Sequence, residues 1–128
     1  MKRVTGIGGI FIKSGDTRRL RDWYKTHLGI EIEEWGGTAF RWAGPHNPQG
    51  TGSTVWSVFE ASSNYFEPST APFMVNYRVD ALHPLLAQLR AEGCQVIDKV
   101  DESEYGKFGW VIDPDGNKIE LWEPPEGQ

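Results

Sequence analysis

Asp113-Pro114-Asp115-Gly116-Asn117-Lys118-Ile119-Glu120-Leu121 is the most informative stretch of the chain. Pro114 sets its own φ and Gly116 is free to take a positive one, so the first five residues are expected to form a hairpin turn. The run that follows alternates. Lys118, Glu120 and Trp122 share one face of a strand, and Ile119 and Leu121 share the other. The aliphatic face belongs against a helix, which leaves Glu120 and Trp122 looking into a cavity. There Glu120 is either a functional carboxylate or a partner for Lys118 or Arg78.

Upstream of this hairpin, Phe73–Val79 is a strand candidate and Asp80 a helix N-cap. Leu82, Leu85, Leu86 and Leu89 mark one helical face, with Pro84 in the first turn and Gly93 at the end. Gln95–Lys99, Gly106–Ile112 and Lys118–Glu123 are then short β-runs. The first half has the same grammar: a strand at Ile7–Lys13, an N-cap at Asp16, a face at Leu20, Trp23, Tyr24 and Leu28, and Gly29 as terminator. Three β-runs follow at Ile30–Trp35, Thr38–Trp42 and Thr54–Phe59, with a Gly/Pro loop at Gly44–Gly52. The interval from Asp16 to Gly29 equals that from Asp80 to Gly93, 13 positions in each. Two strand–helix–strand–strand–strand modules of about 60 residues are thus expected to share one core, a period too long for a solenoid. Module one covers about 4–61 and module two about 73–124; Ser62–Pro72 is the linker, and residues 1–128 form a single domain.

Composition narrows the function. The 128 residues carry a formal charge of −5, which argues against binding a nucleic-acid backbone or an anionic membrane. One cysteine, Cys94, excludes an internal disulfide and a cysteine-rich zinc site, and is read as buried packing. No apolar run approaches the roughly 20 residues of a membrane span, nor does the N-terminus resemble a signal peptide. The expectation is a soluble, cytoplasmic protein. Six Trp, four Tyr and six Phe supply either core mass or a flat-walled ligand pocket.

The doubled βαβββ pattern, the aromatic pair Trp23-Tyr24 in the first helix and the Asp-Pro-Asp-Gly-Asn turn together resemble the vicinal oxygen chelate superfamily. That group includes glyoxalase I, bleomycin-resistance proteins, fosfomycin-resistance enzymes and extradiol dioxygenases. The matching residues are Asp16 through Trp23-Tyr24 to Leu28-Gly29, Val79-Asp80, Leu86, Leu89, Gly93, and Asp113 through Leu121. The resemblance implies an α+β fold: a curved eight-stranded mixed sheet, helices outside, a concave cavity within, and a homodimer.

Metal-dependent members of that superfamily hold a divalent ion with His and Glu from four strands. The resemblance places these positions at Gly9, at Trp56 or Ser57, at Met74 and at Glu120. Only Glu120 carries a suitable ligand atom, and a catalytic ion typically needs about three protein ligands. The histidines do not compensate: His27 ends the first helix, His83 lies solvated in the first turn of the second, and His46 sits in the Gly/Pro loop. No metal site and no cofactor is expected.

Strand alternation puts Gly9, Phe11 and Lys13, and likewise Met74, Asn76 and Arg78, on the Glu120 side; Val75, Tyr77 and Val79 face the helix. The expected ligand-binding set is Phe11, Trp56, Met74, Asn76, Arg78, Tyr105, Phe108, Trp110, Glu120 and Trp122, with Glu120 the candidate catalytic residue. In the superfamily the Glu102–Trp110 stretch borders the cavity mouth, with Glu102 and Lys107 as a solvated rim. The leading functional expectation is metal-free binding of a small aromatic or amphipathic molecule. A metal- or Glu120-dependent lyase, isomerase or dioxygenase of the same superfamily, and a structural or regulatory dimer with a filled cavity, are the alternatives.

Overall fold

A computed structural model describes residues 3–45 and 48–128; the expectation for His46 lies outside them. The chain runs β1 (Val4–Ser14), α1 (Thr17–Leu28), β2 (Gly37–Arg41), β3 (Ser53–Glu60), β4 (Phe73–Val79), α2 (Leu82–Ala91), β5 (Gln95–Ser103), β6 (Gly106–Ile112) and β7 (Lys118–Glu123). One mixed sheet has the order β2-β3-β1-β4-β7-β6-β5. β1–β3 and β4–β7 are parallel, and the remaining pairs are antiparallel.

The sheet has seven strands among the described residues rather than the eight expected. Ile30–Trp35 is not a strand. Its backbone turns back on itself, with Glu33 N–H donating to Gly37 O at 2.8 Å and Gly36 N–H to Glu33 O at 2.9 Å. Arg21 of α1 also donates to the Gly36 carbonyl. Exposed Glu31, Glu33 and Glu34 crowd this margin with like charge, and β2 is left as the sheet edge.

The helices follow the expected limits with shifted details. Asp16 caps α1 by accepting from Arg19 N–H at 3.1 Å, and Gly29 closes it at φ +69°. The face that meets the sheet is Thr17, Arg21 and Tyr24: Thr17 is buried, Arg21 donates to Val58 O at 3.0 Å, and Tyr24 packs on Trp56. Trp23 and Leu28, expected on that face, are exposed. α2 begins after Ala81, and Asp80 does not cap it. The Leu82 N–H is met by the Glu123 carboxylate at 2.8 Å, so the cap comes from the end of β7. Leu82 and Leu86 then bury against Val79 and Leu121. Cys94, expected inside, is exposed in the turn after α2.

A β-bulge interrupts β1. Ile7 pairs with Tyr77 and Gly9 with Asn76, which leaves Gly8 without an opposite residue. A Cβ on Gly8 would lie 2.2 Å from Asn76 Oδ1, and one on Gly9 would lie 2.9 Å from the Phe11 ring. Both glycines thus turn toward the concave side, where their lack of side chains lets neighbouring groups approach the backbone.

Candidate functional site

Directly across the middle of the sheet run Val55 of β3, Gly9 of β1, Asn76 of β4, Glu120 of β7 and Trp110 of β6. Glu120 is 2% exposed, and its carboxylate accepts from Asn76 Nδ2 at 2.7 Å, Trp110 Nε1 at 3.0 Å and the Tyr65 hydroxyl. Desolvation holds its pKa above the ordinary carboxylate range, against the opposing pull of these three donors and of nearby Lys118. The same burial and the adjacent carboxylate raise the Tyr65 phenol far above its usual value.

Of the two alternatives for Glu120, a functional carboxylate or a partner for Lys118 or Arg78, the structure does not show the second: its hydrogen-bond donors are the neutral Tyr65, Asn76 and Trp110. Lys118 Nζ donates to the Tyr65 backbone carbonyl at 2.7 Å and lies over the Tyr65 and Trp110 rings. Its pKa is lowered, mainly by burial. Arg78 lies further along β4, beside Trp122. Asn76 Oδ1 is buried without a hydrogen-bond partner. Turning that amide over would set its oxygen against the Glu120 carboxylate, so the observed orientation is the favourable one.

Around this polar centre the concave side is packed with Phe11, Phe66, Met74 and Trp110, flanked by Val55, Phe59, Tyr65 and Phe108. Tyr65 and Phe66 come from the connecting segment between β3 and β4, which sequence reading assigned only a linking role. Phe66 is fully buried. Backbone bonds tie both ends of that segment to β1, Ala61 N–H to Ser14 O at 2.9 Å and Lys13 N–H to Pro72 O at 2.7 Å, whereas those nearer its middle are local turns, Ser63 N–H to Glu60 O, Glu67 N–H to Asn64 O and Ser69 N–H to Phe66 O. Side chains therefore fasten its middle to the sheet. The one available signal was the Tyr-Phe pair itself, out of place in a polar linker.

A second part of the concave face lies toward the other end of β4. The Arg78 guanidinium sits between Trp42, 4.7 Å from the ring centroid, and Trp122, 5.0 Å away. Trp42, at the end of the expected Thr38–Trp42 strand, lies over Gly6 and Gly52; a Cβ on either would come within 2.6–2.7 Å of its ring. Phe108 stacks parallel to Trp122 at 6.0 Å, and Trp122 Nε1 donates to the Tyr105 carbonyl at 2.8 Å.

The structure thus brings Phe11, Met74, Asn76, Arg78, Phe108, Trp110, Glu120 and Trp122 to one side. Two expected members fall outside. Trp56 sits on the opposite side, its ring 4.8 Å from that of Tyr24, because alternation along β3 gives the concave side to Val55 and Phe59. Tyr105 is 68% exposed at the β5–β6 turn and offers only its backbone carbonyl. At the rim, Glu102 pairs with His83 at 2.6 Å and Lys107 with Glu123 at 3.6 Å.

The register also corrects the positions tested for a metal. Met74 stands opposite Phe11, a row away; Asn76 faces Gly9 and Glu120. Val55, rather than Trp56 or Ser57, completes the row on β3. A hydrocarbon, a bare backbone, an amide and one already saturated carboxylate do not make a divalent-cation site, and Phe11 fills the space beside Gly9. No group of three or more His, Cys, Asp or Glu suited to a metal occurs among the described residues. The donor set of the metal-dependent superfamily members therefore does not fit this cup.

The fold and this cup define a protein of the vicinal oxygen chelate superfamily. The sequence profile of the glyoxalase-like domain matches residues 9–122, and the chain belongs to that family. No curated protein matches it in sequence. Among solved structures, methylmalonyl-CoA epimerase from Mycobacterium tuberculosis is similar at a TM-score of 0.62 and 21% identity, covering 98% of this chain and 91% of that one. A methylmalonyl-CoA epimerase in complex with methylmalonyl-CoA and NH4+ gives 0.70 and 15%, covering 98% of each. An epimerase variant from Streptomyces coelicolor bound to 2-nitronate-propionyl-CoA gives 0.69 and 14%, again over 98% of each chain. At these identities the likeness speaks for the fold. No described helix is long and apolar enough to cross a membrane.

Proposed function

We propose that this glyoxalase-like protein binds a small aromatic or amphipathic molecule in its concave cup, with no metal held by the protein, as a homodimer in the cytoplasm. One observation carries the reading: the Tyr65–Phe66 segment plugs an aromatic cup and is fastened across its middle by side chains. No ladder bond holds the middle of the plug, so withdrawing it breaks side-chain contacts and leaves the sheet ladder intact. Its withdrawal exposes an apolar chamber with few polar anchors, the usual composition of a small-molecule site. The unpartnered Asn76 Oδ1 then accepts from a donor on the ligand.

Isothermal titration against a panel of aromatic metabolites and antibiotics tests this, with Trp122→Ala alongside. The expected result is a saturable ligand whose affinity falls by roughly tenfold or more in the variant, as loss of an aromatic anchor produces. Equal affinity in both proteins would remove Trp122 from the pocket. Absence of any ligand would favour the alternative of a structural dimer whose cup stays filled.

The buried Glu120 favours a second reading, that of an epimerase-like enzyme. A carboxylate raised by desolvation is suited to taking a proton from carbon next to a carbonyl and returning it to either face. Incubation with methylmalonyl-CoA in deuterated water tests it: deuterium uptake by the native chain, lost in Glu120→Gln, supports the reading. No uptake sinks it for that substrate.

A further inference from the structure

Lys13 of β1 and Lys118 of β7 stand at the same end of the cup. Phe11 pairs with Met74 and Val75 with Ile119, so both lysines lie toward the Phe73 end of β4, with that strand alone between them. Their backbones are roughly 10 Å apart across the sheet. Each sets its ammonium on a ring of the plug. Lys13 Nζ is 5.0 Å from the Phe66 centroid, and Lys118 Nζ is 5.4 Å from that of Tyr65. Lys118 also donates to the Tyr65 carbonyl.

Neither lysine has a carboxylate within ion-pair distance among the described residues. Lys99, by contrast, pairs with Asp101 at 3.8 Å. Glu120 and Glu67 act on Lys118 only from further away, and Glu67 belongs to the plug segment. The plug is therefore the partner of both cations. An aromatic face and a neutral carbonyl hold an ammonium less strongly than an anion does. When the plug withdraws, Tyr65, Phe66 and Glu67 leave together. Two ammonium groups then remain on the rim of an apolar chamber lined by Phe11, Met74 and Trp110. The chain as a whole carries a formal charge of −5, so any attraction for an anion is local to this rim. Two cations suit a head with two negative charges, and a phosphate monoester carries nearly two at neutral pH.

We propose that Lys13 and Lys118 form an anion subsite of the cup, that the ligand is a flat molecule bearing a phosphate monoester, and that the rings and carbonyl of the plug stand in for that ligand while the cup is closed. This rests on the small-molecule reading above and names the chemical class of the ligand.

The test is NMR titration of the full chain with phenyl phosphate and with phenol, which shares its ring and is neutral at pH 7, following the Trp110 indole N–H signal. Opening the plug costs both probes the same, so the ratio of their affinities isolates the head group. Phenyl phosphate is expected to bind roughly tenfold tighter or more, the margin of one charge-assisted hydrogen bond. That advantage should fall severalfold in Lys13→Met and in Lys118→Met, and stay unchanged in Lys25→Met, on α1 outside the cup. Should Lys118→Met fail to fold, Lys13→Met decides: an undiminished advantage overturns the subsite. An equal fall in Lys25→Met overturns it too, since the attraction would then belong to the whole chain. Equal affinity for the two probes overturns the subsite while the small-molecule reading stands. No shift with either probe overturns the subsite, and the panel titration then separately decides the broader reading.

Discussion

Tyr65 and Glu120 are joined by a hydrogen bond across 55 positions of sequence, from the segment between β3 and β4 to the middle of β7. The bond closes the concave face over its own carboxylate. It makes one side chain both a plug for the cup and a counter-group for the buried acid.

Replacing Tyr65 with Phe keeps the ring and removes the hydroxyl. Glu120 then keeps two of its three donors, from Asn76 and Trp110. The expected loss is about 1–3 kcal/mol of folding stability at neutral pH, the cost of weakening a buried hydrogen bond to a charged group. Urea unfolding measures it, and a midpoint equal to that of the native chain would show that the phenol is not holding the plug.

Glu120 also makes stability depend on pH in a defined direction. Its folded pKa lies above the ordinary 4.5 because burial disfavours the charge. The native state therefore binds the proton more readily than the unfolded chain, and this contribution is fully present below about pH 4.5 and lost as pH rises through the folded value. In Glu120→Gln the dependence disappears. Asn76 can turn over so that its unpartnered oxygen accepts from the new amide, while the glutamine oxygen accepts from Tyr65 and Trp110. The stability difference between variant and native chain should move in favour of the variant from pH 4.5 toward neutrality. Parallel thermal melts across that range check it, and a constant difference would contradict the assignment.

The bulge at Gly8 predicts a steric result. Gly8→Ala places a methyl group 2.2 Å from Asn76 Oδ1 and 2.9 Å from Trp122 Cε3, whereas Gly15→Ala meets nothing within 4 Å. The first substitution should cost about 1–3 kcal/mol by overpacking, and the second should be near neutral. Denaturant midpoints of the two variants separate them.

Dialysis against a chelator should leave the melting temperature of purified protein unchanged. A structural ion would stabilise the fold by mass action, and its removal would lower the midpoint. A clear drop on chelation would show that ligands other than the Val55–Gly9–Asn76–Glu120 row hold a cation.

The turn at Asp113–Asn117 and the two faces of each strand were legible because turn chemistry and period-2 alternation are local. They set Met74, Asn76 and Arg78 on one face of β4, and Glu120 and Trp122 on one face of β7, while the pairing of the two strands is tertiary. Trp56 was misplaced because its strand was read without a register, and a one-residue slip moves a side chain to the opposite face. Ile30–Trp35 has β-forming residues, but pairing also requires a neighbour. Glutamates at the margin and the donation of Arg21 to Gly36 withhold one.

By itself the order of residues determined the helix ends at Asp16, Gly29 and Gly93, the strands at 73–79, 106–112 and 118–123, and the inward face of the last of them. These follow from backbone stereochemistry and from apolar periods that act within a few residues. Tertiary structure alone decided that Tyr65 and Phe66 fill the cup, that Glu123 caps α2, and that Trp42 and Trp122 enclose Arg78. Those relationships join groups far apart along the chain, and they arise from shape and charge complementarity once the sheet has formed, which no local pattern encodes.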